Sequence, residues 1–218
     1  MIETPAYGVV EASRYLKLAP STLRSWVIGR NYHRSDGVGR FEPLICLADE
    51  GRKLLSFANL IEAYVLRALR QEHGVSIDAV RNALEYAEQE FHITRLLLSS
   101  DLLTTAGDLF LKQYGELINL SQSGQLALRI MFEEHLKRIE WENEIPYRLY
   151  PYNGVDDKKI IAIDPSIGFG RPVLISKGIS TAIITDRIDA GESVEELAED
   201  YDLNTREVEM AIIYERAA

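Results

Sequence analysis

Cysteine occurs once in these 218 residues, at Cys46, which excludes an intrachain disulfide and any cysteine-built metal cluster. Set within the apolar run at residues 44–47, Cys46 reads as a small core residue. Long apolar stretches are also missing. No uncharged run approaches the ~20 residues that span a bilayer, and residues 1–7 carry neither the basic nor the apolar region of an export signal. The expected location is therefore the cytoplasm, with no membrane partner. Catalytic constellations are absent too: there is no nucleophile elbow, phosphate loop or metal-ligand spacing, and His33, His73, His92 and His135 are scattered. Glu133, Glu134 and His135 have the chemistry of metal ligands, but consecutive helix positions point in different directions, so they read as a solvated face. No catalytic residue, cofactor or metal is expected.

Basic charge is in deficit, with 24 Lys and Arg against 34 Asp and Glu for a formal net charge of −10. Spread evenly, such a deficit would argue against a nucleic-acid partner, because phosphate contacts need cations. It is not spread evenly. Residues 1–40 hold six basic side chains (Arg14, Lys17, Arg24, Arg30, Arg34 and Arg40) against three acidic ones, whereas residues 155–218 hold seven basic against fourteen acidic. The two ends of the chain suit different partners.

With 46% hydrophobic residues the chain can bury a core and form two or three small units. Residues 7–27 fit two short helices joined by a tight turn, with Val10, Ala12, Tyr15 and Leu16 inside the first and Leu23 and Trp26 inside the second. Glu11 is placed to reach back to the free amides of the first turn, and Pro20 suits the opening position of the second helix. Ser21, Thr22, Arg24 and Ser25 then point outward, the groups that reach phosphates and base edges from a helix in the major groove. Arg14, Lys17 and Arg30 add cations around them. The run at 41–47 and the pair Leu54-Leu55, on either side of Asp49-Glu50-Gly51, read as a hairpin serving as a wing. Ser56 caps a helix with Leu60, Ile61, Tyr64, Val65, Ala68 and Leu69 at helical spacing. Gly74 ends it, and Ser76 caps another with Ile77, Val80, Leu84 and Phe91.

The Glu11-Ala12 pair, Arg14-Tyr15-Leu16, Thr22-Leu23-Arg24, Trp26 and Leu55-Ser56-Phe57 together resemble the DNA-binding head of the MerR family. The resemblance covers roughly the first third of the chain and implies a homodimer on a two-fold symmetric operator. It departs from typical members in having Ala19 where a Ser or Thr cap is common, and in showing no long dimerisation helix.

In the middle segment, residues 102–105 and 109–111 flank an Ala106-Gly107-Asp108 turn and suit a hairpin, and 116–120 suit another strand. A helix is expected from Ser121 or Ser123 to about Trp141, with Met131, Phe132 and Trp141 read either as ordinary core or as the lining of a ligand pocket. After a linker near 153–157 come a short β-branched run at 160–163 and Phe169-Gly170-Arg171-Pro172-Val173-Leu174. A helix over 181–190 stops at Gly191; Ser193 with Glu196 and Asn204 with Glu207 make capping boxes for two more, the last burying Val208, Ala211 and Ile212. Leu203 is placed to staple onto Val208. This unit is helix-turn-helix-like, but its acidic surface is unsuited to phosphates.

The stretch at 163–174, with Ile179, Ala190-Gly191-Glu192-Ser193 and Asp200-Tyr201-Asp202-Leu203, resembles a small domain of unknown function found in VapB-type antitoxins. Ser176-Lys177-Gly178-Ile179 stands where short members have Gly-Thr-Arg-Ile, so no role passes to that arginine. The resemblance implies a PIN-type ribonuclease toxin, encoded by a neighbouring gene, as protein partner. Arg171, Glu196, Glu199, Asp200 and Arg216 are the expected contacts, with an arginine near the chain end reaching a toxin carboxylate.

The expectation is thus a mainly α protein with small β elements (α+β) in three parts. Residues 1–92 form a winged helix-turn-helix, 93–154 a mixed middle segment, and 155–218 an acidic helix-turn-helix-like unit. It is expected to bind operator DNA, repress its own operon and neutralise the toxin. A MerR-like regulator sensing a small molecule, without a toxin, is the alternative, and an enzyme is a third.

Overall fold

Helix α1 (Val9–Tyr15) starts where the Glu11 carboxylate accepts the free Gly8 amide at 3.4 Å, as its position predicts. Helix α2 (Pro20–Ile28) opens on Pro20, whose missing N–H would have no helical partner there. Between them Lys17 turns the chain in the left-handed region (φ 54°). The pair buries Val9, Ala12, Tyr15 and Leu16 against Leu23, Trp26 and Val27. Val10 was expected inside and is 64% exposed. With Ala12 and Leu16 facing inward, the position three before Ala12 shares their stripe and its neighbour is rotated off it. The coordinates are a computed structural model that describes residues 2–34, 37–71, 77–92, 95–98, 133–151 and 159–217.

The wing is not where the sequence pattern put it. Strand β1 (Tyr7–Gly8) is antiparallel to β4 (Leu54–Leu55), and the long hairpin is β2 (Arg30–Arg34) with β3 (Gly37–Phe41), in register from Arg30 opposite Phe41 to Arg34 opposite Gly37. Residues 44 and 45 cannot serve as a strand facing Leu54, because both their amides donate to the Trp26 carbonyl at the end of α2, at 2.8 and 3.1 Å. Only Asp49 bridges back to Leu54. That anchoring also corrects the reading of Cys46: Ile45 enters the core, Cys46 is exposed, and its carbonyl accepts Asn59 Nδ2 at 2.8 Å.

Helix α3 (Phe57–Gln71) is capped reciprocally, the Asn59 amide donating to Ser56 Oγ at 3.2 Å and the Ser56 amide to Asn59 Oδ1 at 3.1 Å. Leu60, Ile61, Tyr64, Val65, Ala68 and Leu69 are all buried. Helix α4 (Ile77–Phe91) places Val80 in the same core; Gly74 and Ser76, expected to punctuate the two helices, lie outside the described residues. A 3-10 turn at Leu96–Leu98 is tied to α3 by Arg95, whose fork grips both oxygens of the buried Glu62 at 2.8 Å.

The expected hairpin at 102–111, the strand at 116–120, the helix start at Ser121 or Ser123, and Met131 and Phe132 lie outside the described residues. Residues 133–136 are helical, but the helix does not reach Trp141: β5 (Ile139–Glu142) and β6 (Ile145–Leu149) form a hairpin instead. Asn143 and Glu144 both adopt positive φ (51° and 64°), the two-residue reversal whose twist suits antiparallel strands. His135, read as part of a solvated face, packs its ring 5.9 Å from that of Tyr64. Leu136, Ile139, Leu149 and Ile163 join the hydrophobic core of the N-terminal helices.

Leu149 pairs with Ile163 (2.9 and 2.8 Å) and leads into a three-stranded antiparallel sheet of β7 (Ile161–Ala162), β8 (Val173–Leu174) and β9 (Ile179–Ser180). Helices α5 (Thr181–Asp189), α6 (Val194–Tyr201) and α7 (Thr205–Arg216) follow. Gly191 turns the chain at φ 102°, and both expected capping boxes form, on Ser193 with Glu196 and on Asn204 with Glu207. Ile161, Leu174, Ile184, Leu197, Leu203 and Val208 fill a second core. Ile212, expected in it, is only partly buried; Tyr214, 0% exposed, takes the inner position. The fold is α+β, with a helix-turn-helix at the N-terminus.

Candidate nucleic-acid interface

On helix α2, Ser21 and Arg24 are exposed and Thr22 and Ser25 half-buried, and its first turn contains no acidic residue. Two grooves flank it. One is lined by Arg24 with Arg14, Arg52 and Lys53 around Gly8, Val10 and Leu54. Its single carboxylate, Glu11, is engaged locally, accepting the Tyr15 hydroxyl at 2.8 Å as well as the Gly8 amide. Arg52 is paired with the Asp49 carboxylate at 2.7 Å, so Arg14, Arg24 and Lys53 supply the positive excess of this concave surface, which concentrates a polyanion by long-range attraction. The other groove sets Ser21, Thr22 and Ser25 beside Arg30, Phe41, Arg70 and Asp78. Arg30 lies 5.4 Å from the Phe41 ring centre and Arg70 5.7 Å from that of Trp26, so both guanidinium planes are held in place without losing charge.

Of the residues singled out in the sequence, the fold gathers Arg14, Ser21, Thr22, Arg24, Ser25 and Arg30 around one helix. Lys17 goes elsewhere. Its Nζ sits 3.8 Å from the ring centre of Tyr214 on α7, buried and without a hydrogen-bond partner. Tyr214 in turn donates its hydroxyl to the Tyr15 carbonyl at 2.8 Å, and the Arg67 guanidinium donates to the Leu16 carbonyl at 2.7 Å. The last turn of α1 is therefore held by the last helix of the chain.

Desolvation, with Arg14 and Arg67 adding repulsion and Glu215 opposing it, lowers the Lys17 pKa from 10.5 to about 8. Below that value folding holds an ammonium in a poorly hydrated place. Between about pH 8 and 10.5 the unfolded chain keeps a proton that the folded chain has released, so stability rises with pH across this window. The raised pKa values of Tyr7, Tyr15, Tyr64 and Tyr214 oppose the rise from about pH 9, where the unfolded phenols begin to ionise, so the lysine's effect is read between about pH 8 and 9. Lys17→Met is expected to flatten the rise and to gain about 1 kcal/mol at neutral pH, measured by urea unfolding across that range.

In the C-terminal unit Glu196, Glu199 and Asp200 share α6. Hydrogen bonds from the Ser193 amide and hydroxyl hold the Glu196 carboxyl below its usual range, and Asp200 pairs with Arg187. Glu199 is exposed. Arg216, at the end of α7, pairs with Asp189 at 2.8 Å, and Arg171 is exposed on the turn before β8. The five expected toxin contacts thus lie on three separate elements.

Sequence reasoning missed Arg52 and Lys53, which follow the Asp49-Glu50-Gly51 turn directly. Arg70 was passed over at the end of a helix read for its apolar face. Tyr214 had an available signal, three residues after Ala211 on the buried stripe of the last helix.

A family model described as "Putative DNA-binding HTH domain" matches residues 5–84, and the model DUF433, a "Protein of unknown function", matches residues 161–214. The chain is 26% identical over 216 residues to "Putative antitoxin VapB45" of Mycobacterium tuberculosis, covering 91% of this chain and 89% of that protein. It is 23% identical over 223 residues to "Uncharacterized protein Rv2308" of the same organism, covering 98% and 91%. The crystal structure of Rv2018 from Mycobacterium tuberculosis is similar in fold, with a TM-score of 0.68 at 22% identity over 96% of this chain and 98% of that one.

Proposed function

We propose that this protein is a DNA-binding antitoxin, a cytoplasmic homodimer whose MerR-like head holds operator DNA and whose acidic C-terminal unit binds and silences a PIN-type ribonuclease toxin from a neighbouring gene. The observation that carries the reading is the joining, in one chain, of the cationic groove around α2 to a unit with seven excess negative charges over residues 155–218. A groove of Arg14, Arg24, Arg52 and Lys53 suits phosphates. An acidic helical surface suits a protein that carries cations to bind RNA. The similarity to a protein named as an antitoxin supports the same assignment. In this reading the protein catalyses nothing: it represses its operon by occupying the operator and stops the toxin by covering it.

Co-expression tests both halves. The tagged chain is produced with the untagged product of the adjacent gene, and the eluate is assayed for ribonuclease activity and for binding to the upstream DNA. A stable complex with suppressed activity is expected, as is operator binding that weakens at least about tenfold in a Ser21→Ala, Arg24→Ala variant with unchanged folding. Absence of a complex would remove the toxin partner and leave a DNA-binding regulator. Unchanged DNA affinity in the double variant would remove those two side chains from the interface.

A further inference from the structure

We propose that the groove between the start of α2, the root of the β2–β3 hairpin and the end of α3 seats a backbone phosphate of bound DNA, with Arg70 and Arg30 as its cationic arms. The inference rests on the DNA-binding reading of α2 and assigns the second flank of that helix, so that both strands of the duplex are gripped.

Helical phase sets the geometry. Thr22 and Arg24 are two residues apart on α2 and so point about 200° apart, one toward each of the two grooves that flank the helix. Ser21 lies between them on the outer face. An α-helix with its side chains is about 10–12 Å across and the major groove of DNA about 12 Å wide. A helix laid in that groove therefore turns its outer face to the base edges and its two flanks to the sugar-phosphate walls. The groove of Arg14, Arg24 and Lys53 meets one wall; the groove of Ser21, Thr22, Ser25, Arg30 and Arg70 meets the other.

The chemistry of this second groove is that of donors lacking an acceptor. Trp26, on its wall, is 1% exposed. Its indole Nε1 can donate but not accept, and both Nε1 and the Arg70 Nε are buried with no hydrogen-bond partner among the described residues. Buried donors left unmet are rare in a folded protein, and an acceptor supplied from outside the chain is one of their causes. Neither Arg30 nor Arg70 has a carboxylate partner among the described residues, and each is fixed instead against a ring, Phe41 at 5.4 Å and Trp26 at 5.7 Å. The first turn of α2 adds an open end: Ala19 has no side chain to cap it and Pro20 has no N–H, so the positive end of the helix dipole faces outward beside the Ser21 and Thr22 hydroxyls. The exposed Asp78 carboxylate is the one opposing group lining the groove. Unmet donors, two fixed guanidinium groups and an uncapped helix start suit an acceptor-only anion, and on the flank of a helix in the major groove that anion is a phosphodiester.

Two full-length variants test the seat in opposite directions. Arg70→Met keeps an unbranched apolar stem against Trp26 and deletes the charge, whereas Asp78→Asn deletes the repelling carboxylate. Each is compared with the parent in melting temperature, then titrated with a duplex of its own upstream DNA and with an unrelated duplex of the same length, between about 50 and 200 mM salt. Arg70→Met is expected to weaken binding to both duplexes about five- to tenfold and to reduce the slope of log K against log salt by about 1, because a phosphate contact releases counterions and carries no sequence information. Asp78→Asn is expected to tighten both about two- to threefold. Parent-like affinity and slope in Arg70→Met overturn the phosphate seat and leave the contacts of α2 standing. A loss confined to the upstream duplex with an unchanged slope also overturns it, since that pattern belongs to base reading. If Arg70→Met melts below the parent, Asp78→Asn decides, and no gain in affinity there overturns the seat. A parent chain that binds neither duplex overturns the DNA-binding reading together with the proposal.

Discussion

Replacing Tyr214 by alanine is expected to cost about 3–5 kcal/mol, the range for deleting a fully buried aromatic side chain. The ring is 0% exposed, completes the core formed by Val208 and Ala211, and carries the Lys17 ammonium on its face. Its removal leaves a cavity and takes the hydroxyl from the Tyr15 carbonyl, so the damage falls on the C-terminal unit and the N-terminal helix pair together. Tyr214→Phe isolates the second effect. It keeps the packing and deletes one buried hydrogen bond, for an expected loss of about 1 kcal/mol. Urea unfolding of the two variants measures both quantities. If Tyr214→Ala costs no more than Tyr214→Phe, the ring does not fill the C-terminal core.

Gly29→Ala should be comparably severe, about 3 kcal/mol, for a backbone reason. Gly29 closes α2 at φ 80°, ψ −179°, a region essentially restricted to glycine, where any other residue costs about 1–3 kcal/mol. A Cβ there would also overlap the Phe41 carbonyl oxygen, which is backbone and cannot rotate away. The clash falls where Arg30 pairs with Phe41 at the root of the β2–β3 hairpin, and both residues line the groove beside Ser21 and Thr22. The variant should therefore lose DNA affinity beyond its loss of stability. Thermal unfolding and a DNA titration at a temperature where the variant remains folded separate the two. A melting temperature equal to the parent's would show that the hairpin can shift freely.

The helix starts were legible because their causes are local. Glu11, Pro20, Ser56, Ser193 with Glu196, and Asn204 with Glu207 act within one turn of the residues they cap, and a short window of sequence contains the whole interaction. Strand pairing was not legible in the same way. The two-residue strands β1 and β4 carry too little pattern to declare a partner, and residues 44–45 looked like a strand until the Trp26 carbonyl claimed their amides. The β2–β3 hairpin hid in a stretch rich in Arg and Gly with no apolar alternation, since its side chains face solvent or each other, as the Tyr32 and Phe41 rings do at 5.8 Å. For the candidate interface, the residues on α2 could be read from helical phase. Arg52 and Lys53 could not, because it is the tertiary placement of a turn that brings them to Arg14 and Arg24.

The hydrogen bond from Tyr214 to Tyr15 joins residues 199 positions apart, and this separation governs how the molecule is made. At roughly 5–20 residues per second a ribosome needs roughly 10–40 s to pass from one to the other. During that interval the emerging helix pair holds a lysine with nothing above it and a carbonyl with only water to meet. Helix α7 is thus the keystone of the opposite end of the chain. A nascent or end-trimmed copy lacking it leaves the Tyr15 carbonyl and the Lys17 side chain of the helix pair uncovered.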